Sequence, residues 1–394
     1  MGVEVRPFGV RCNIACQYCY QNPERDAGNE ASSYNLERMK EGVLAEGRPF
    51  ILFGGEPLIM PEADLEALWA WGLEQFGSNG IQTNGTLIGE RHVALFKRYK
   101  VQVGISVDGP GELNDIRWAG TLEKTREATA KTHAAIERLC VEGIAPSLIV
   151  TLHRNNATAD KLPVLGDWLL RLESLGVTSV RLHLLEVDDE SVRRKYALTP
   201  EENLDALRYF HRHEKRLRTL RLDIFRDMRR LLLGQDQAVT CIWNGCDPYT
   251  TRAVQGVEGQ GQRSNCGRTN KDGIDFVKSD TPGYERYLAL YHTPQIHGGC
   301  RDCRFFLMCK GQCPGTAIDR DWRNRTDQCG AWMGILEVLE EELIAAGELP
   351  LSRSPRRGRV EEALLAVWAR GETASLHSLL EGLSIEGSAP ATSV

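Results

Sequence analysis

Twelve cysteines are the residues of this 394-residue chain best able to do chemistry, and they are unevenly spread. Three stand at Cys12, Cys16 and Cys19, eight fall between Cys241 and Cys329, and Cys140 stands apart. The N-terminal stretch MGVEVRPFGVRCN lacks the apolar run of a secretory signal, which points to the cytoplasm and to reduced thiols. Reduced thiols cannot form a disulfide framework, so two metal-binding regions are the better explanation.

The first region reads CxxxCxxC, directly after a predicted strand. A four-iron cluster takes one thiolate per iron, so three close cysteines leave one iron open to an external ligand. A structural zinc site competes with this assignment but needs a fourth Cys or His at compatible spacing. The nearest histidine, His92, lies in a predicted helix with no neighbouring ligand. The second region reads Cys241-x4-Cys246-x14-Gly261-x4-Cys266, then Cys300-x2-Cys303-x5-Cys309-x3-Cys313, then Cys329. Eight thiolates suffice for two fully ligated four-iron clusters, or for two four-cysteine zinc sites. Cys140 shares helical spacing with Ile136 and Leu139 and reads as a buried, inert thiol.

These residues need elements to hold them. From residue 3 to 235, short β-rich runs alternate with amphipathic helical stretches, as in repeated βα units around a parallel sheet. Six strands are expected at Val3–Val10, Phe50–Phe53, Gly80–Thr83, Val101–Val107, Ser147–Leu152 and Val177–Leu184. Core-facing stripes recur at Leu65, Leu68, Trp69, Leu73 and Phe76, and at Leu165, Trp168, Leu169 and Leu172. Thr199-Pro200-Glu201-Glu202 reads as a capped start to a long helix reaching Leu233. The fold class is α/β, a partial (β/α)6 TIM-like barrel over residues 1–235. A cysteine-rich domain over 236–335 follows, held by metal more than by a large core. Helices at Gly334–Leu343, Val360–Ala369 and Thr373–Leu383 and a frayed tail make up 336–394.

Cys12-Asn-Ile-Ala-Cys16-Gln-Tyr18-Cys19 resembles the signature of the radical S-adenosylmethionine (SAM) superfamily, including the aromatic residue before the last cysteine. The resemblance implies that SAM chelates the open iron and is reductively cleaved to a 5′-deoxyadenosyl radical that abstracts a substrate hydrogen. Gly54-Gly55-Glu56-Pro57, after the second strand, resembles the family motif that receives the amino end of SAM. Glycines allow close backbone approach, and Glu56 offers a charge-assisted bond. By the same resemblance Ser106, ahead of Asp108 and Gly109, would bind the SAM carboxylate; Arg117 in NDIRWAG reads either as a second partner of that carboxylate or as an exposed arginine. Gln82-Thr83-Asn84-Gly85 resembles a segment of peptide-modifying members, which places Gln82 and Asn84 facing SAM or substrate. His183 has no recognisable partner.

The C-terminal array resembles the SPASM domain. By position, Cys241, Cys246, Cys266 and Cys313 would hold one auxiliary [4Fe-4S] cluster, and Cys300, Cys303, Cys309 and Cys329 an outer one. With the SAM-binding cluster that makes three. SPASM members mostly modify peptides or proteins, so the resemblance implies a ribosomally made precursor peptide as substrate, with a sulfatase-maturase-like enzyme or a small-molecule radical SAM dehydrogenase as the alternatives. It also implies an electron donor such as flavodoxin or ferredoxin. Sulfatase maturases of this kind carry an aspartate after the cysteine matching Cys266; this chain has Gly267, with Arg268, Asp272 and Asp275 as nearby substitutes. Because nothing precedes the first strand, a leader-binding domain ahead of the barrel is not expected, and the segment after Leu351 is a candidate surface instead. A net charge of −6 argues against a nucleic-acid partner, and the basic stretch at 353–359 reads as a solvated linker. No apolar run is long enough for a membrane span.

Overall fold

The computed structural model describes residues 2–28, 31–187, 189–237, 239–244, 246–247, 250, 254–268 and 281–386. Six parallel strands stand side by side in chain order: β1 (Val3–Arg6), β2 (Phe50–Leu52), β3 (Asn79–Thr83), β4 (Val101–Ser106), β5 (Ser147–Leu152) and β6 (Ser179–Leu184). Helices connect them, giving a mixed α/β architecture built on a parallel sheet.

Alternation along the strands separates two faces. In β5, Leu148, Val150 and Leu152 are buried while Ile149 and Thr151 are half-buried; in β6, Val180, Leu182 and Leu184 are buried and Arg181 and His183 are not. The helix Glu62–Phe76 contributes Leu65, Leu68 and Trp69 to the core, and Leu162–Leu175 contributes Leu165, Trp168, Leu169 and Leu172. Register pairs Ser106 with Ile149 and Thr151 with His183, so polar residues of neighbouring strands share the face opposite the helices.

The sheet does not stop at six strands. β7 (Arg221–Leu222) extends it beyond β6, and at the other edge β8 (Gln255–Glu258) pairs parallel with β1 and antiparallel with β9 (Arg263–Asn265). Arg6, 3% exposed, ties this edge together. Its guanidinium donates to Glu4 at 3.1 Å, to Glu258 at 3.0 Å through Nε, to Ser264 Oγ at 2.7 Å and to the Asn265 carbonyl at 2.8 Å. Glu46 binds the same hairpin, accepting from Arg263 at 2.5 Å and from Gln255.

The chain forms two compact units that depart from the linear division read from the sequence. The first comprises Met1–Asp223 and Val254–Lys278, the second Ile224–Ala253 and Ser279–Val394. The long helix expected from Thr199 is instead two. Its start is as read, with Thr199 and Glu202 each accepting the other's backbone N–H, but the first helix ends at Glu214. The Glu173 carboxylate then accepts the N–H groups of Arg218, Thr219 and Leu220 at 2.7, 2.6 and 2.9 Å, which holds the chain in an extended turn into β7. A second helix, Asp223–Leu232, follows.

Within the second unit, Trp368 packs against Tyr284, Tyr287 and Phe306, and Trp243 against Trp332. The helix Arg357–Trp368 therefore belongs to a core, and the basic stretch before it is engaged: Arg353 pairs with Glu340 and Arg357 with Glu361. The frayed tail falls mostly on residues 387–394, outside the described residues. Among the described residues no helix is long and apolar enough to cross a membrane.

Candidate functional site

A cavity of about 190 Å³ opens in the first unit, on the half-buried face of the sheet. Cys12, Cys16 and Cys19 line it together with Gly54 and Gly55 after β2, Gln82 and Asn84 at the end of β3, and Ser106 and Arg117 after β4. The sequence-predicted residues thus converge, with two exceptions. Glu56 and Pro57 are buried and lie outside the lining.

Glu56 is occupied by its own chain. Its carboxylate accepts from Thr83 Oγ1 at 2.7 Å, Asn84 N–H at 2.8 Å and Leu58 N–H at 3.0 Å, joining the ends of β2 and β3. The glycines before it serve contact with the cysteine loop. A Cβ on Gly55 would lie 1.8 Å from the Arg11 carbonyl oxygen, and one on Gly54, at φ +113°, would lie 2.6 Å from that of Gly9. Gly55 N–H donates to the Gly9 carbonyl and Glu56 N–H to the Arg11 carbonyl, both at 2.9 Å. The approach to Cys12 is therefore laid directly on this turn.

Neighbouring side chains are similarly placed. Gln82 reaches across β4 because Gly104 leaves it room, and its Nε2 donates to Ser106 Oγ at 2.9 Å. Asn84 Nδ2 donates to Asn13 Oδ1 at 2.8 Å, fastening the residue after Cys12. Tyr18, Asp108 and Arg117 form a group in which Asp108 is buried and the other two, half-buried, line the cavity. Tyr18 Oη donates to Asp108 at 2.5 Å, and Arg117 Nη1 donates to Tyr18 Oη at 3.0 Å. Burial alone would raise the Asp108 carboxyl, but His153 and the Arg117 charge outweigh it and hold the group below its ordinary value.

The opposite wall was not legible in sequence. His183 and Glu186 line the same cavity, with His183 Nε2 3.7 Å from Glu186 Oε1, and Glu186 pairs with Arg268. Arg268 lies over the Tyr20 ring, 4.9 Å from its centroid. The only sequence signal was the placement of His183 on a strand whose alternate residues are apolar. Asp272 and Asp275 lie outside the described residues.

Residues 7–157, which contain the cysteine loop and most of this cavity, match the family model of the Radical SAM superfamily. The chain carries a radical SAM domain. A serine-type anaerobic sulfatase-maturating enzyme of Klebsiella aerogenes is 27% identical over 208 residues, 50% of this chain and 49% of that protein. The chain thus spans about half the length of this curated relative. Among solved structures, native anSMEcpe with bound AdoMet and Cp18Cys peptide matches with a TM-score of 0.65 at 20% identity, covering 88% of this chain and 98% of that one. Streptococcus suis SuiB bound to precursor peptide SuiA matches at 0.51 and 15% identity, covering 83% and 75%. At these identities the likeness is one of fold.

A radical SAM domain implies a four-iron cluster, and the donor set suits one. Burial pushes the Cys16 thiol up to about 12; Arg117 counters this, while Cys19 and Cys12 add to it. Cys12 is raised chiefly by burial as well. Thiols so placed keep their protons unless a metal charge offsets the burial, and binding iron would release those protons.

The second unit repeats this pattern. Cys300, Cys303, Cys309 and Cys329 surround one pocket, closed by Phe305, Phe306 and Leu336, so the cysteines grouped by position do come together. Burial raises Cys300 to about 12 and Cys309 well above its ordinary value, and each is raised further by its neighbours. Gln312 N–H donates to the Cys309 carbonyl at 2.9 Å, and Cys329 opens the helix Cys329–Ala345, which fixes their spacing. Among the described residues no three His, Cys, Asp or Glu side chains converge on one point for a single ion; a four-iron cluster asks for wider spacing. Cys241, Cys246 and Cys313 belong to the second unit and Cys266 to the first. Cys140 is half-buried, less enclosed than its helical spacing predicted.

Proposed function

We propose that this chain is a radical SAM maturase of a ribosomally made peptide, producing a crosslinked, cyclised or otherwise oxidised residue. The observation that carries the reading is one cavity lined by three half-buried cysteines together with His183 and Glu186. When bound, a reduced four-iron cluster supplies the electron that splits SAM into methionine and a 5′-deoxyadenosyl radical. Cys12, Cys16 and Cys19 would hold that cluster, and Gln82, Asn84, Ser106 and Arg117 would face SAM. Glu56 acts from behind by fixing the strand ends.

Net oxidation of a peptide residue removes a hydrogen atom, a proton and an electron. The radical chemistry that bound SAM would supply accounts for the hydrogen atom. The proton needs a base, and this chain has Gly267 where sulfatase maturases carry an aspartate. His183 is suited to accept it, because burial, against the opposing pull of Glu186, holds its imidazole below the ordinary value and hence neutral near pH 7. The two auxiliary clusters, on Cys241, Cys246, Cys266 and Cys313 and on Cys300, Cys303, Cys309 and Cys329, would take the electron. Flavodoxin or ferredoxin would supply the reducing electron in the cytoplasm. The peptides bound by anSMEcpe and SuiB support a peptide substrate. The sulfatase-maturating relative favours a second reading, oxidation of a sulfatase serine or cysteine.

The test is anaerobic incubation of iron-loaded protein with SAM, reductant and either a candidate precursor peptide or a sulfatase-derived peptide, read by mass spectrometry. Loss of two hydrogens from the first peptide, with 5′-deoxyadenosine formed, supports maturation. The same loss from the second alone moves the assignment to sulfatases. Absence of SAM cleavage by fully iron-loaded protein sinks both.

A further inference from the structure

Asp108 is fully buried and held from every side. Its N–H donates to Asn114 Oδ1 and its carbonyl accepts from Asn156 Nδ2, both at 2.8 Å; Oδ1 accepts from Thr151 N–H at 3.0 Å. Oδ2 faces Tyr18 Oη at 2.5 Å, His153 Nε2 at 3.5 Å and Arg117 Nη1 at 4.0 Å. The tautomer of His153 follows from its other nitrogen: Nδ1 accepts from Asn155 N–H at 3.1 Å, so in the neutral ring the proton sits on Nε2, toward Asp108. A carboxylate this constrained cannot turn away.

What it constrains is Arg117. The backbone on either side of Arg117 is joined to the backbone on either side of Cys16: Gln17 N–H donates to the Ile116 carbonyl at 2.8 Å and Ala15 N–H to the Trp118 carbonyl at 2.6 Å. Cys16 and Arg117 therefore stand opposite one another across a short ladder. The ladder fixes the Arg117 backbone, and the Tyr18 phenol fixes its side chain. The Arg117 side chain is 11% exposed, and that exposure is to the cavity.

We infer that Tyr18, Asp108 and His153 are a brace that presets the Arg117 cation beside Cys16, so that SAM meets an already oriented guanidinium for its carboxylate. This rests on the reading that the cavity takes SAM. Arg117 touches the ligand; Tyr18, Asp108 and His153 are positioning residues that act through it. A guanidinium held in place beforehand loses little freedom on binding, which is how such a brace adds affinity. Beside a cluster thiolate the fixed positive charge also favours the reduced, more negative cluster and raises its midpoint potential.

The experiment is a double-mutant cycle in iron-loaded full-length protein. Tyr18→Phe removes one hydroxyl and no charge, and Arg117→Gln removes the cation. The dissociation constant for SAM is read from the change SAM makes in the cluster's electron paramagnetic resonance spectrum, and the midpoint potential is measured without SAM. Iron content confirms loading. Tyr18→Phe should weaken SAM binding about tenfold, the loss of one hydrogen bond to a charged group, and shift the potential the same way as Arg117→Gln. In the Arg117→Gln background, Tyr18→Phe should change neither quantity. Arg117→Lys should recover the potential but only part of the affinity, because it keeps the charge and loses the planar fork. Equal losses from Tyr18→Phe in both backgrounds, or no loss in either, overturn the brace. A parent protein that loads iron but shows no spectral response to SAM overturns the underlying reading and the brace with it.

Discussion

Gly55→Ala should be among the most damaging single-methyl changes in the protein. The added Cβ would lie 1.8 Å from the Arg11 carbonyl oxygen and 2.3 Å from its carbon. Both are backbone atoms, so no rotamer relieves the clash. Opening the contact from 1.8 to at least 3.0 Å moves the two segments apart by about 1.2 Å, one residue before Cys12. That movement breaks the bonds from Gly55 N–H to Gly9 and from Glu56 N–H to Arg11. Two net hydrogen bonds at about 0.5–1.5 kcal/mol each and overpacking at about 1–3 kcal/mol give a loss of roughly 2–6 kcal/mol. For a domain this size the unfolding midpoint should fall by at least about 4 °C. The assay is thermal unfolding with Gly358→Ala as control, a glycine whose added Cβ meets nothing within 4 Å. The iron-loaded variant should also lose its spectral response to SAM. Parental stability together with a parental SAM response in Gly55→Ala would refute the claim that this turn seats the cysteine loop.

Arg6→Met leaves Glu4 and Glu258 without their shared cation at a buried sheet edge, and should cost about 3–5 kcal/mol in urea unfolding; removing the exposed Arg98 partner of Glu66 should cost under about 1 kcal/mol. Asp108 is held below its ordinary 3.8, so in that interval the unfolded chain holds the extra proton. The stabilisation is therefore present above about pH 4 and lost as the pH falls through the folded value. Acid unfolding should be less steep in Asp108→Asn. For His183→Gln we expect unaltered SAM cleavage and at least about a hundredfold less oxidised product. Product formation in the parent should rise with pH with its midpoint below 6.5, since burial, opposed by Glu186 and Asp223 and joined by Arg268 and Arg181, holds His183 below its ordinary value. Cys329→Ser should reduce iron content while sparing the SAM-induced spectral change.

The sequence spacing grouped Cys12, Cys16 and Cys19, and Cys300, Cys303, Cys309 and Cys329, and each group lines one cavity. The parallel sheet was likewise legible, since β5 and β6 alternate cleanly between buried and half-buried residues. Glu56 illustrates where such legibility ends. Its motif points to a ligand contact, but its partners Thr83 and Asn84 come from the next strand, and nothing local announces that they will claim both oxygens. His153 was invisible for a related reason, since it acquires its meaning from Asp108, a carboxylate that follows the neighbouring strand. The break in the helix after Thr199 has no local signal either, because its terminator, Glu173, sits 45 residues before Arg218.

The return of β8 to β1 has a consequence for how the protein can be made and cut. A fragment stopped near residue 235 would carry the cysteine loop, β1 to β7 and an intact family signature, yet its first strand would be left with a bare flank and Arg6 without Glu258. On the ribosome the same flank stays open until the hairpin ending at Asn265 has emerged. Trimmed versions ending near residue 235 should therefore self-associate.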